Sequence, residues 1–433
     1  MKSFIGILIL IILMIICNIW NYDYFLTLLS IIWYIVSILF IYSAIKFSNK
    51  YKFVQYKIKY FFNAIRSKSK NNISPLSSLC MSLAAKIGVG SLSGVALALY
   101  YGGVGSIFWM CVISLFLSIN TYVECALGIK YRDKINNVFI GGPSVYIKKC
   151  LNNKYVSILY SILIIITYSF LFMSIQANTI TSVFVGFNIN KMVVVLILSI
   201  CFYLVIRNGS NSIFKIDLIL VPIMLGIYII IGIYVFINNN IINIFFEMIK
   251  EAFNIKSIIP IFLIGMQRAV FVSESGIGTS AISSASCDND AHNQGVLEVM
   301  GIYITTFCVS FITFIIIVTS NYDLISYSNI NGIEILMDAF NYHFGLLGKI
   351  LLSLIAILFA FSTIISGYFF GDNNLKILTD CKIITSVFKY LILFVIIISS
   401  FISPNILWNL TDFFIAILAI INIVSMIMII RKK

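Results

Sequence analysis

The chain has 433 residues, 61% of them hydrophobic and only 10% charged, with a mean hydropathy of +1.05. Soluble domains run near 45–50% apolar and about 25% charged, so composition excludes a soluble globular enzyme, a disordered chain and a small disulfide scaffold. The formal charge of +13 would suggest nucleic acid in a soluble protein; in a membrane protein it marks cytoplasmic loops, and the test is where the charges fall.

A transmembrane helix needs roughly 20 mostly apolar residues. The first apolar run, Phe4 to Ile19, resembles a signal-peptide core, but no small-residue cleavage site follows it. It is therefore expected to be an uncleaved first span or interfacial anchor. Tyr24 to Phe47 is long enough to cross, and a basic stretch follows with Lys46, Lys50, Lys52, Lys57, Lys59, Arg66, Lys68 and Lys70 and no acid. Further apolar segments are predicted at about 76–99, 105–129, 157–185, 191–206, 216–237, 258–285, 296–319, 346–370, 388–403 and 405–430. Between 238 and 257, Phe245, Phe246, Met248, Ile249 and Phe253 have amphipathic spacing. That segment is expected to lie on the membrane surface or cap the protein.

Orientation follows from Lys and Arg. Placing 46–75 in the cytoplasm puts 130–154, 207–215, 371–389 and the tail Arg431-Lys432-Lys433 on the same side. The opposite side keeps a few lysines, among them Lys191, Lys250, Lys256 and Lys349. The C-terminus is thus expected in the cytoplasm, and the charge needs no nucleic-acid partner. One cytoplasmic loop, 286–295, breaks the pattern with Asp288 and Asp290 and no basic residue. The nine cysteines form no Cys-x-x-Cys pair and read as packing residues. His292 and His343 fall on opposite sides and cannot share a metal.

Two apolar segments are interrupted alike. One reads Ala84-Ala85-Lys86-Ile87-Gly88-Val89-Gly90-Ser91-Leu92-Ser93-Gly94, the other Gln267-Arg268-Ala269-Val270-Phe271-Val272-Ser273-Glu274-Ser275-Gly276-Ile277-Gly278-Thr279. Five spans separate their starts, so the two run in opposite directions, as the unwound first helices of an inverted repeat would. Unwinding frees backbone groups that cost several kcal/mol each in hydrocarbon unless they line a polar cavity. Freed N–H groups can hold a carboxylate and freed carbonyls a small cation. Close helix packing through small residues is the competing explanation. Lys86, about ten residues into its span, is expected to snorkel toward the cytoplasm. Arg268 and Glu274 are expected to face a cavity or to pair with another element. Gln176, with four bonding positions to fill, is expected to line the cavity.

These segments resemble the alanine/glycine:cation symporter family from about Phe53 to the end. The match is densest over Gly88–Met110, where Gly102-Gly103-Val104-Gly105-Ser106-Ile107-Phe108-Trp109-Met110 is similar to the signature Gly-Gly-x-Gly-Ala-x-Phe-Trp-Met. Gly141-Gly142-Pro143-Ser144-Val145-Tyr146, Gln176-Ala177-Asn178, Glu274-Ser275-Gly276-Ile277-Gly278, Phe359-Ala360-Phe361-Ser362-Thr363 and Asp372-Asn373-Asn374-Leu375 add to it.

The resemblance implies an all-α multi-pass membrane protein of leucine-transporter-like fold, with two inverted five-helix repeats and about 11 transmembrane helices, or 12 if Phe4–Ile19 crosses. Residues 1–75 would precede the first repeat at 76–237, an outer segment would span 238–257, and 258–433 would hold the second repeat and tail. It implies a secondary transporter, not an enzyme, in a bacterial-type inner (plasma) membrane. Such a protein imports a small neutral amino acid (alanine, glycine or serine) with Na⁺ by alternating access. It needs no cofactor; Na⁺ is the coupling ion, with H⁺ the other possibility. Carried over by position, substrate would contact Gly88, Val89, Gly90, Ser91, Gln176, Phe271, Ser273, Glu274 and Gly276. Sodium would lie near Ala84, Ala85, Gly88, Ser91, Ser362 and Thr363. Two departures stand out. The motif Val-Gly-Thr/Ser-Gly-Asn reads Ile87-Gly88-Val89-Gly90-Ser91, and Ser-Asn-Glu-Ala-Gly reads Val272-Ser273-Glu274-Ser275-Gly276. They thin side-chain ligation at both breaks, which leaves an altered substrate or cation, a degenerate transporter and an amino-acid-binding sensor open.

Overall fold

The computed structural model describes residues 22–66, 73–135, 138–207, 209–287, 289–320 and 332–432. The predicted segment Phe4–Ile19 lies outside them. Among the described residues eight helices are long and apolar enough to cross a membrane, and Lys191–Ile206 and Ile258–Ser273 are shorter apolar helices. The protein is a multi-pass membrane protein built almost wholly of helices.

Helix α1 (Tyr22–Lys50) and the short α2 (Ile58–Ile65) precede α3 (Pro75–Lys86), which starts where Ser74 accepts the N–H of Ser77 and Pro75 takes the first turn. A single turn at Val89–Ser91 separates α3 from α4 (Ser93–Tyr131). Two predicted segments run together in α4, divided at Gly103, whose φ of +64° lies in the left-handed region open to glycine. After a two-stranded hairpin (β1 Asp133–Ile135, β2 Val138–Ile140) come α5 (Pro143–Leu151) and α6 (Lys154–Ile164). A π-helical stretch at Ile165–Phe172 leads from α6 into α7 (Met173–Val185). Helices α8 (Lys191–Ile206) and α9 (Ser210–Asn238) complete the first half.

The amphipathic segment forms α10 (Ile242–Ala252), which closes over the turn in α4. Glu251 accepts the N–H of Gly105 at 3.0 Å, and the Ala252 carbonyl accepts the Trp109 indole at 3.0 Å. Next come α11 (Ile258–Ser273) and α12 (Thr279–Ala285), separated by the second interruption. Asp290 caps α13 (Ala291–Tyr303), which passes through a π stretch at Ile304–Ser310 into α14 (Phe311–Val318). The chain ends with α15 (Ile333–Phe344), α16 (Leu346–Leu378), α17 (Lys382–Ser399) and α18 (Pro404–Arg431). The predicted 388–403 is thus displaced toward the N-terminus. The chain turns at Ser399–Ser403, where Asn178 donates to the carbonyls of Ser399 and Ile402, and Pro404 opens the last helix.

Helix α11 packs along α4, and α3 packs on α9 and α16. Both interruptions therefore sit among helices rather than against lipid.

Candidate functional site

Ending α3 at Lys86 leaves the carbonyls of its last turn without their usual helical donors. The Ala84 carbonyl accepts the Thr363 hydroxyl of α16 at 2.7 Å, and that hydroxyl also lies 2.8 Å from the Phe359 carbonyl. The Val89 N–H donates to Gln176 Oε1 at 2.9 Å, and the Ser91 hydroxyl donates to the Gly88 carbonyl at 2.9 Å. Gln176 is fully buried, and its Nε2 has no partner among the described residues. Gly88 lies against both side chains: an added Cβ would come within 2.5 Å of Thr363 Oγ1 and 3.0 Å of Gln176 Nε2. The structure thus gathers Ala84, Gly88, Val89, Ser91, Gln176 and Thr363, with Ala85 buried in the same turn. Ser362 stands apart; its hydroxyl meets the Phe359 carbonyl at 2.9 Å and the Met224 sulfur at 3.8 Å.

Gly90 joins this cradle to α11. A Cβ there would come within 2.6 Å of the Phe271 ring. That ring is stacked on Phe172, centroids 5.0 Å apart, and packs on Trp408 at 4.9 Å.

The second interruption turns through Glu274, Gly276 and Gly278, with φ of +50°, +76° and +108°. A left-handed glutamate is strained, and neighbouring helices hold it there. Thr279 donates to Glu274 Oε2 at 2.7 Å, while the buried Oε1 has no partner among the described residues. Ser273 Oγ accepts the Ser275 N–H at 3.3 Å, and Ser275 donates to the Leu117 carbonyl at 2.5 Å. Asn422 of α18 donates to the Gly276 carbonyl at 2.9 Å and to Glu124 at 3.0 Å; Tyr160 donates to the Ile277 carbonyl. Among the described residues no hydrogen bond joins Ser273, Glu274 or Gly276 to Gly88, Val89 or Gln176. Phe271 is the side chain of this segment that packs against Gly90.

The basic residues near the breaks find partners on other helices. Lys86 does not snorkel: it is 2% exposed, and its ammonium lies 2.9 Å from Glu298 and 2.9 Å from the Ser82 hydroxyl. Ser82 also donates to Glu298 at 2.6 Å. Arg268 pairs with Asp412, and its guanidinium carbon lies 5.3 Å from the ring centroids of both Phe271 and Trp408. Above this pair opens a cavity of about 350 Å³ whose lining includes Leu97, Tyr101, Gln267, Arg268, Trp408 and Asp412. Sequence reading missed Glu298, Asp412, Asn422 and a buried aspartate in α9, Asp217. Each is a polar residue inside an apolar run, the signal that had singled out Gln176.

Comparison with known proteins agrees with this architecture. The sodium:alanine symporter family model matches residues 19–433. The amino-acid carrier protein AlsT of Bacillus subtilis is 29% identical over 396 residues, covering 87% of this chain and 83% of its own. The probable sodium/glutamine symporter GlnT of the same organism is 29% identical, covering 88% of this chain and 82% of its own. The sodium/alanine symporter AgcS of Methanococcus maripaludis is 27% identical over 377 residues, 83% of this chain and 82% of its own. Among solved structures, MhsT in complex with L-phenylalanine shares the fold, with a TM-score of 0.61 at 14% identity over 82% of this chain and 89% of that one. A multi-pass helical chain with a family match over nearly its whole length is a transport protein rather than an enzyme: it belongs to the sodium:alanine symporter family.

Proposed function

We propose that the protein imports a small neutral amino acid (alanine, glycine or serine) together with Na⁺ by alternating access across a bacterial-type plasma membrane. The observation that carries this reading is the break between α3 and α4. One side of it offers oxygens, the Ala84 carbonyl and the Thr363 hydroxyl. The other side offers an N–H donor, Gln176 Nε2, buried and unpaired among the described residues. Neutral oxygens suit a hard cation such as Na⁺, and N–H donors suit a carboxylate. Thr363, Ala84 and the carbonyl of Gly88 are the proposed sodium ligands. Gln176 and the backbone of Val89 and Gly90 hold the substrate, with Phe271 bounding its side-chain space. Ser273, Glu274 and Gly276 act by setting the shape of the second break.

In this reading residues 76–237 and 258–433 are inverted five-helix repeats joined by 238–257, and the basic loops and the C-terminus face the cytoplasm. The cavity above Arg268–Asp412 is the outer vestibule, the Phe172–Phe271–Trp408 stack its floor, and the Lys86–Glu298 pair closes the inner side. Rocking one repeat against the other would open these barriers in turn. Each Na⁺ entering down a potential of about 100 mV contributes about 2.3 kcal/mol before any concentration gradient is counted.

Reconstituted vesicles test the reading. An inward Na⁺ gradient should accelerate uptake of alanine, glycine or serine, whereas equal uptake in Na⁺, Li⁺ and choline rejects sodium coupling. Acceleration by a proton gradient instead makes H⁺ the coupling ion, and saturable binding without flux makes the protein a sensor.

A further inference from the structure

Asp217 has no place in the site just described. It is fully buried, seven residues into α9, and faces α3 and α16. Its Oδ2 lies 3.4 Å from the Ser366 hydroxyl, and its Oδ1 has no partner among the described residues. No described lysine or arginine pairs with it. Lys215, two residues earlier, is exposed, on the opposite side of the helix.

The surroundings are rich in acceptors and short of donors. The Ser366 hydroxyl has one hydrogen, yet three acceptors surround it: the Ser362 carbonyl at 3.0 Å, the Met81 carbonyl at 3.3 Å and Asp217. The same helices already meet this way once. Thr363 of α16 reaches Ala84 of α3, and three residues further along each antiparallel helix Ser366 reaches Met81. Three residues rise about 4.5 Å, so the second cluster lies one turn from the first, toward the end of α3 that begins at Pro75. An isolated ionised carboxylate is expensive in an apolar interior. One anionic oxygen with several neutral ones is the environment in which a small hard cation replaces the missing counter-charge.

We propose that Asp217, Ser366 and the Met81 carbonyl form a second sodium position that the ion occupies after leaving Thr363 and Ala84 and before entering the cytoplasm. This rests on the sodium reading of the first site. The two positions lie one turn apart along the same pair of helices, so the second is a station on the inner path for the same ion and adds none to the coupling ratio. Asp217 is the anionic ligand of this position: it draws Na⁺ from the first site and offers a contact to cytoplasmic Na⁺.

A sided assay tests this. In proteoliposomes of fixed orientation, labelled alanine uptake is measured against external Na⁺ and, separately, against Na⁺ trapped inside, which inhibits from the trans side. D217N is expected to leave half-activation by external Na⁺ within about twofold, which also shows the variant is folded, and to raise the internal Na⁺ needed for inhibition about tenfold. S366A should shift the internal value in the same direction by less, and D217E should restore it. T363A should lose both activation by external Na⁺ and inhibition by internal Na⁺. A D217N variant that shifts neither side, or both sides equally, overturns the second position while T363A still upholds the first. Wild-type uptake indifferent to sodium removes the first site, and this proposal with it.

Discussion

Gln176 serves two neighbours with two different atoms. Its Oε1 accepts from Val89, while Nε2 is left facing the cradle. Glutamate at this position keeps the acceptor and loses the donors. Q176E should therefore melt close to wild type in detergent while binding alanine at least about tenfold more weakly. Gln176→Ala also strands the buried Val89 N–H, a loss of about 1–3 kcal/mol, and should lower the melting temperature as well as the affinity. Gly88 is limited by space rather than by backbone angle, its φ of −103° being ordinary for any residue. G88A pushes a methyl between Thr363 and Gln176, and should weaken sodium activation and alanine binding together in the vesicle assay. Gln176 was legible in the sequence because a primary amide has no apolar explanation. Asp217 carried the same signal and was passed over, because hydrophobicity was read over the whole run in which it sits.

At the scale of elements, both interruptions were legible and their fastenings were not. Glycines and hydroxyls clustered in mid-span mark a helix that stops. They do not say which helix receives the freed groups, because Asn422 and Gly276 are 146 residues apart and Lys86 and Glu298 are 212 apart. Snorkelling was expected of Lys86 from its distance to the span's end. The partner on α13 outweighs that distance, since Glu298 and Ser82 together satisfy the Lys86 side chain without water. Removing one member leaves the other uncompensated, at about 3–5 kcal/mol. K86M should thus unfold at a clearly lower temperature in detergent, and K86M/E298L should recover most of the loss. Recovery of stability without recovery of transport would assign the pair to gating. Asn422→Ala frees the Gly276 carbonyl and Glu124 at once, and should loosen the second break, seen as faster amide exchange at 274–278.

For the whole molecule, alternation of basic and neutral loops predicts sides that chemistry can check. Cys381 is exposed, in the short connection before α17, and the orientation places it inside. A membrane-impermeant maleimide should leave it unlabelled in intact cells and label it in inside-out vesicles; the reverse result inverts the protein. The π stretches at Ile165–Phe172 and Ile304–Ser310 bear on the whole chain in another way. A π turn takes up one residue more than an α turn, and one residue is about 100° of helix rotation. Deleting a single residue within 165–172 would let an ordinary α turn replace the π turn, leaving α6 where Asn153 anchors it and α7, with Gln176 and Asn178, on its present face. The same deletion between Met173 and Gln176, where the helix is regular, has no such slack and would turn the amide about 100° away from Val89. The π stretches are thus the places where these two helices can lose a residue without re-aiming what lies beyond.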